Sequence, residues 1–271
     1  MVGKTSYEMT KGAKVIENQR PQYAQIADLI RTRIQDGTYA AGSLLPSEDR
    51  LASEFGVSRV TVNRAVGLLR SSGDVKVRRG AGTTVRSVPR IYRDSQSRYA
   101  ARQEGTGAGE VEVRKLNLKS RTDYRHIGEV ETPPAVAAAL GLDTTDRTLL
   151  RSRVLYANDE PTQIADSYFP WPITKKSEAL MQANAGPGGS YGRLADLGYG
   201  VVRFSEDVTA RPPTEPEYRT LGLDPSQWVF EIWHIAYTAA DMPVEACIHV
   251  MPCHLWTLGY AWRDKPVSDE R

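Results

Sequence analysis

The sequence predicts an α+β chain, in which a short helical unit closed by a β hairpin precedes a larger unit of helices packed on an antiparallel sheet. Three observations carry this reading. Apolar residues recur at helical spacing in three successive segments between residues 21 and 72, and a glycine-rich turn between alternating valines follows them. A pattern that opens with LGLD at Leu140 returns at Leu221, each time followed by two extended runs. The 271 residues are enough for two domains, and charge divides them: up to Arg90 there are 15 Lys and Arg against 8 Asp and Glu, while the remainder is net negative by 5.

These features place a flexible tail at 1–20, a first domain at 21–86, a linker at 87–110, a second domain at 111–262 and a flexible tail at 263–271. A basic front and a mildly acidic rear assign a polyanionic partner to the front alone. With 25% charged and 40% hydrophobic residues the composition is that of a folded soluble protein. There is no run of about 18 apolar residues and no apolar signal core near Met1, so a cytoplasmic location without a membrane partner is expected. Cys247 and Cys253 stand six apart beside His249 and His254, outside the spacing of zinc pairs. No metal and no cofactor are expected, and the thiols are read as buried or incidental.

In the first domain Tyr23, Ile26, Ala27, Ile30 and Ile34 share one face of a helix that starts near Pro21 and stops at Gly37. Ser47 caps a second helix, with Glu48 and Asp49 in its first turn, Leu51, Ala52 and Phe55 inward and Gly56 at its end. Ser58 caps a third, whose buried stripe is Val62, Ala65, Val66 and Leu69. Arg59, Thr61 and Asn63 therefore face outward at its start. Two short helices across a tight glycine turn match a helix-turn-helix, and these three residue types are suited to base edges: Arg to guanine, Asn to adenine, Thr by methyl or hydroxyl. Ser58 and the free amides beside it suit a phosphate. Val75 and Val77, the turn at Arg79 to Gly82, and Thr83 to Val85 make a basic hairpin, a wing, in which Arg78 or Arg79 reaches phosphate or the minor groove and the glycines permit close approach.

The run from YAQIADLIRTRIQDG through LLPSEDRLASEFGVSRVTVNRAVGLLRSSG to VKVRRGAGTTV resembles the DNA-binding domain of the GntR family of bacterial regulators over residues 21–86. The resemblance implies a homodimer on double-stranded DNA with a palindromic operator, acting as a repressor relieved by a metabolite. Carried over by position, it implies DNA contacts from Ser58, Arg59 and Thr61 and, at the wing, from Arg79, Gly80 and Gly82. The chain departs from many members twice: Asp49 follows LPSE, with Arg50 next to it, and Asn63 stands where Arg is common. The first departure removes a contact residue usual at that position, with Arg50 beside it kept as a DNA-binding candidate, and Asn63 implies a different operator preference.

The linker, SVPRIYRDSQSRYAARQEGTGAGE, has no lasting periodicity; its middle, Tyr92 to Arg102, is read as ordered against one of the domains, and Ser97, Arg98 and Tyr99 as pocket residues or plain surface. In the second domain each repeat is preceded by a short helix marked by paired prolines, Pro133–Pro134 and Pro212–Pro213. The unit is helix, strand, turn, strand, and two units share one sheet. In the first copy Leu149, Arg151, Arg153 and Leu155 project to one side, so the two arginines either pair with internal carboxylates or hold a ligand's anion. Gln163 and Tyr168 on the returning strand, and Glu245 with His249 in the second copy, are candidates to complete a polar pocket. His249 is equally read as a satisfied structural residue. The stretch SEALMQANAGPGGS is a ligand-covering loop or a surface insertion, and Ser190 is read as the cap of a helix from Tyr191 to Leu197. Arg203 to Ala210 is a further strand in which Glu206 offers a polar contact.

Through PPAVAAALGL, LLRSRVLYANDEPTQIADSYFP, SYGRLADLGYG, SEDVTARPPT and PVE this region resembles the UTRA effector-binding domain of the HutC-like branch of the same family, over roughly residues 95 to 255. That resemblance implies an α/β sensor domain similar in fold to chorismate lyase, with no catalysis retained, binding a small anionic effector. It assigns polar contacts to Arg151 and Arg153, an effector contact to Gln163 where several members carry an acid, and an anion-abutting position to Ser190. A catalyst is disfavoured independently, because no nucleophile and base pair, no paired carboxylates and no cofactor glycine loop stand out. The other reading is a constitutive DNA binder, for plasmid maintenance or architecture, whose rear domain only dimerises.

Overall fold

The computed structural model describes residues 20–78, 80–94 and 108–262. The front unit is α1 (Gln22–Gln35), α2 (Glu48–Phe55), α3 (Arg59–Ser71) and the hairpin β1 (Val75–Arg78) and β2 (Gly82–Val85). Ser47 and Ser58 cap their helices as expected, accepting from the Arg50 and Thr61 amides, and Gly56 ends α2 in the left-handed region at φ 63°. Ile26, Ile30, Leu51, Val62, Ala65, Leu69, Val75 and Val85 form one core between the three helices and the hairpin. The segment before α2 also bonds to the hairpin, through Leu45 N to Thr83 O at 2.8 Å and Val85 N to Ser43 O at 2.8 Å.

The rear unit holds a six-stranded antiparallel sheet in the order β4-β5-β6-β9-β8-β7. Its strands are β4 (Ser120–Glu131), β5 (Arg147–Ala157), β6 (Glu160–Pro170), β7 (Val201–Arg211), β8 (Val229–Thr238) and β9 (Pro243–Pro252). Helix α5 (Pro134–Leu140) follows β4, and α8 (Glu215–Leu221) follows β7. The repeat is thus strand, helix, strand, strand, one strand longer than the sequence pattern indicates, and the copies join where β6 pairs with β9. The leading strands β4 and β7 are long and largely exposed, with the polar run SRTDY opening β4, so the leading strand of the first copy carries little apolar alternation. Helices α5 and α8 cover one sheet face through Val136, Leu140, Ile235 and Ala246 and through Val154, Ile164, Leu221 and Val250.

The other face is covered by α6 (Trp171–Thr174), a 3-10 turn at Glu178–Met181 and α7 (Gly189–Asp196), around Leu149, Phe169, Leu180 and Leu194. Beside them lie α4 (Ala108–Arg114), β3 (Ile91–Asp94) and β10 (Trp256–Gly259). Strands β3 and β10 pair in parallel, and Ile91 and Trp256 are buried with Ile232 and Met251 of the sheet. Residues 91–94, read as linker, are therefore built into the rear core. The rest of the stretch expected to pack on a domain, including Ser97, Arg98 and Tyr99, lies outside the described residues, as does Arg79. Among the described residues no helix is long and apolar enough to cross a membrane.

Candidate functional site

At the head, α3 presents Arg59 and Asn63 on its exposed side, and both are held by one carboxylate. Glu48, at the first position of α2, accepts from Asn63 Nδ2 at 2.8 Å and from Arg59 Nε at 3.0 Å. The Asn63 hydrogen bond, helped by Arg59 and opposed by partial burial, keeps the Glu48 pKa below the ordinary carboxylate value. From sequence Glu48 is only a helix-dipole residue; its spacing from Asn63, fifteen residues on and in the next helix, carries no local signal. Thr61 Oγ1 lies 2.9 Å from Ser58 Oγ, which binds both to the helix cap. Arg50 and Arg78 are exposed, and Gly80 and Gly82 sit in the left-handed region at φ 80° and 88°. The structure thus gathers Ser58, Arg59, Thr61 and Asn63 at one helix end and places Arg78, Gly80 and Gly82 on the hairpin.

In the rear unit the alternation of β5, β6, β8 and β9 puts Arg151, Arg153, Gln163, Ser167, His234, Glu245, Cys247 and His249 on the face opposite α5 and α8. Arg153 Nη1 donates to Ser167 Oγ at 3.0 Å and to Arg151 O at 3.2 Å. Burial works against its charge, but the fields of Cys247, Tyr124, Glu245 and Tyr191 outweigh it and leave the pKa raised. Gln163 Nε2 meets His249 Nδ1 at 2.6 Å, and Ser167 Oγ donates to Cys247 Sγ at 3.2 Å.

Three expectations need correction. Arg151 is a clamp rather than an open cation: it donates to the carbonyls of Leu180, Gln182 and Ala183 and to Tyr124 Oη, pinning the chain beyond the 3-10 turn. Tyr168 is five residues from Gln163 and so falls on the opposite face, against Val136 and Leu140 of α5. Ser190 lies inside the first turn of α7, whose cap is Gly188 at φ 77°.

Glu206, expected from sequence to offer a polar contact, anchors a densely paired cluster on this face, and its partners there carried no sequence signal. Arg93 of β3, 1% exposed, forks onto both carboxylate oxygens of Glu206. His234 Nδ1 and Tyr260 Oη approach the same carboxylate at 3.0 Å each, and Tyr191 Oη lies 3.2 Å from His234 Nε2. Burial would raise the Glu206 pKa, yet the Arg93 and His234 hydrogen bonds override it and hold the carboxyl far below its ordinary range. Four elements from distant parts of the chain meet here, which no local pattern could announce.

Head and body also touch directly. Lys76 Nζ pairs with Glu160 at 2.8 Å, Arg70 Nε with Asp224 at 2.9 Å, and Gln227 Nε2 donates to Arg70 O at 2.8 Å. Between them lies a cleft of about 650 Å³ lined by Arg70, Lys76, Arg86, Glu160, Asp224 and His254. Burial and the nearby cations Arg86, Lys76 and Arg90 push the His254 pKa down to about 3. Among the described residues no group of three His, Cys, Asp or Glu is arranged to hold a metal ion.

Residues 22–85 match the model for bacterial regulatory proteins of the gntR family, and residues 115–254 match the UTRA domain. An uncharacterized HTH-type transcriptional regulator of Streptomyces coelicolor is 30% identical over 260 residues, covering 92% of this chain and 96% of its own length. The histidine utilization repressor of Pseudomonas aeruginosa is 30% identical over 168 residues, 62% of this chain and 64% of that protein. Among solved structures, a putative GntR-family transcriptional regulator aligns with a TM-score of 0.58 and 26% identity, over 91% of this chain and 99% of that one. PhnF from Mycobacterium smegmatis shares the fold at a TM-score of 0.57 and 21% identity, over 89% and 99%.

Proposed function

Because the chain belongs to the gntR family of bacterial regulatory proteins, as a DNA-binding transcription regulator with a UTRA domain behind its helix-turn-helix, we propose that it is a homodimeric repressor whose grip on a palindromic operator is loosened by a small effector. In this reading Ser58, Arg59, Thr61 and Asn63 enter the major groove, the wing with Arg78, Arg79, Gly80 and Gly82 tracks the backbone, and Arg50 adds a phosphate contact. The effector sits on the polar sheet face with Arg153, Gln163 and Glu245. The rear domain is taken as a chorismate-lyase-like fold put to binding. The repressing sign follows the histidine utilization repressor of Pseudomonas aeruginosa.

The observation that supports regulation most is the reach of β3. The strand that follows the wing, β3, carries Arg93, whose carboxylate partner Glu206 also meets His234 of the polar face. A ligand that displaces Glu206 or His234 displaces the chain joining head to body, and the head with it. Regulation is then a population shift, in which the effector binds the state with wrongly set heads more tightly than the DNA-competent one. About 4 kcal/mol of differential binding changes operator affinity roughly a thousandfold. The test is selection of genomic fragments by the purified chain at fixed salt, followed by a reporter driven through the enriched site. The expected result is an inverted-repeat sequence and a reporter silenced by the chain. No enriched sequence, or a reporter switched on, contradicts the proposal.

A further inference from the structure

Among the described residues, two groups of the polar face are left without a partner. Glu245 on β9 is 4% exposed, and its Oε2 is buried with no hydrogen-bond partner. Gln163 on β6 is 1% exposed; one end of its amide is bonded to His249, while the other end is buried without a partner. This holds whichever way the amide is turned. Buried polar groups, and charges above all, are costly to leave unsatisfied, so each marks where a group from outside the chain belongs. On the same face, both hydrogen bonds that Arg153 makes with the described residues leave from Nη1. Among the described residues no ion pair joins Arg153 to Glu245, although each lies within the other's field.

A partly buried cation and a buried anion are thus held apart on one surface, with an unmet amide end on the strand between β5 and β9. We propose that the effector is a small zwitterion, a free amino carboxylate, whose carboxylate meets Arg153, whose ammonium meets Glu245 and whose side group meets Gln163. This deepens the effector-site reading and rests on it. Charge balance selects the class: Arg153 and Glu245 together are neutral, and a zwitterion keeps them so. A phosphate dianion would set two negative charges beside the buried Glu245 carboxylate, where low dielectric magnifies repulsion. A plain carboxylate satisfies Arg153 and leaves Glu245 as it was.

The experiment uses the whole chain and thermal unfolding. Free α-amino acids are tested singly, each beside the acid of the same carbon skeleton lacking the amine, with inorganic phosphate and glucose 6-phosphate as a separate arm. At least one amino acid is expected to raise Tm by about 5–10 °C at a hundredfold excess over its Kd. Its deaminated counterpart is expected to bind at least about a hundredfold more weakly. In Glu245→Gln, which keeps the shape and removes the charge, the amine preference should fall to within about threefold. The comparison in the unaltered chain stands even if that variant does not fold. A response to the phosphate arm or equally to the deaminated acids overturns the zwitterion and leaves the effector site standing. Silence in every arm overturns both.

Discussion

The buried pair of Arg93 and Glu206 makes the most quantitative prediction. Arg93→Met keeps most of the side-chain volume and takes from Glu206, whose side chain is 9% exposed, its forked cation, while His234 and Tyr260 stay beside it. Breaking one partner of a buried ion pair costs about 3–5 kcal/mol, because the surviving charge stays desolvated. For a domain of this size about 2–4 °C of Tm accompanies each kcal/mol, so Arg93→Met should unfold about 6–20 °C earlier. Replacing both partners, Arg93→Met with Glu206→Leu, removes the stranded charge and should recover more than half of that loss. It does not recover everything, since His234 and Tyr260 lose their acceptor at about 0.5–1.5 kcal/mol each. The assay is circular dichroism at fixed pH across the single and double variants. A single variant within about 2 °C of the unaltered chain, or a double variant no more stable than the single, would refute the reasoning.

Three further outcomes are expected. Acid should reveal the same carboxylate: Glu206 is depressed in the folded state, so its contribution is complete above its unfolded pKa, near 4.3, and declines as pH falls toward the folded value. Between pH 6 and 3 the Tm of the unaltered chain should therefore fall more steeply than that of the double variant, and parallel curves would contradict this. Asn63→Ala should cost about 1–3 kcal/mol at one base pair of each half-site, seen by anisotropy as lost discrimination with an unchanged salt slope. Gly73, at φ 70°, has no room for a Cβ, which would strike Arg86 Nη2 and the His254 ring. Gly73→Ala should thus loosen the head from the body, with limited proteolysis accelerated between residues 72 and 91 and no change expected if that packing is dispensable.

The head was legible because its signals are local. Capping serines, the left-handed Gly56 and stripes such as Val62, Ala65, Val66 and Leu69 lie within a few turns of one another, and the structure buries those four together. The internal repeat was legible for the same reason, since LGLD recurs unchanged and is followed each time by the same order of extended run, turn with an acid and a proline, and extended run, though the side chains differ. What escaped was set by tertiary placement. Arg151 and Arg153 have the same alternation, yet one is consumed by three backbone carbonyls supplied from about thirty residues on, and only packing decides that. Tyr168 was misplaced by a parity that counting along β6 would have caught. Arg93, in a stretch with no periodicity, became a buried charge because β10 and Glu206 are brought to it from the far end of the chain.

Coupling of the polar sheet face to the head's hold on DNA is measured by anisotropy of the whole chain on its selected operator, with and without the compound that most raises Tm, in the unaltered protein and in Arg153→Gln. Adding the compound to the unaltered protein should weaken operator affinity at least about tenfold. In Arg153→Gln the same starting affinity and no loss are expected. An operator affinity that ignores the compound in both proteins, or falls equally in both, would contradict that coupling.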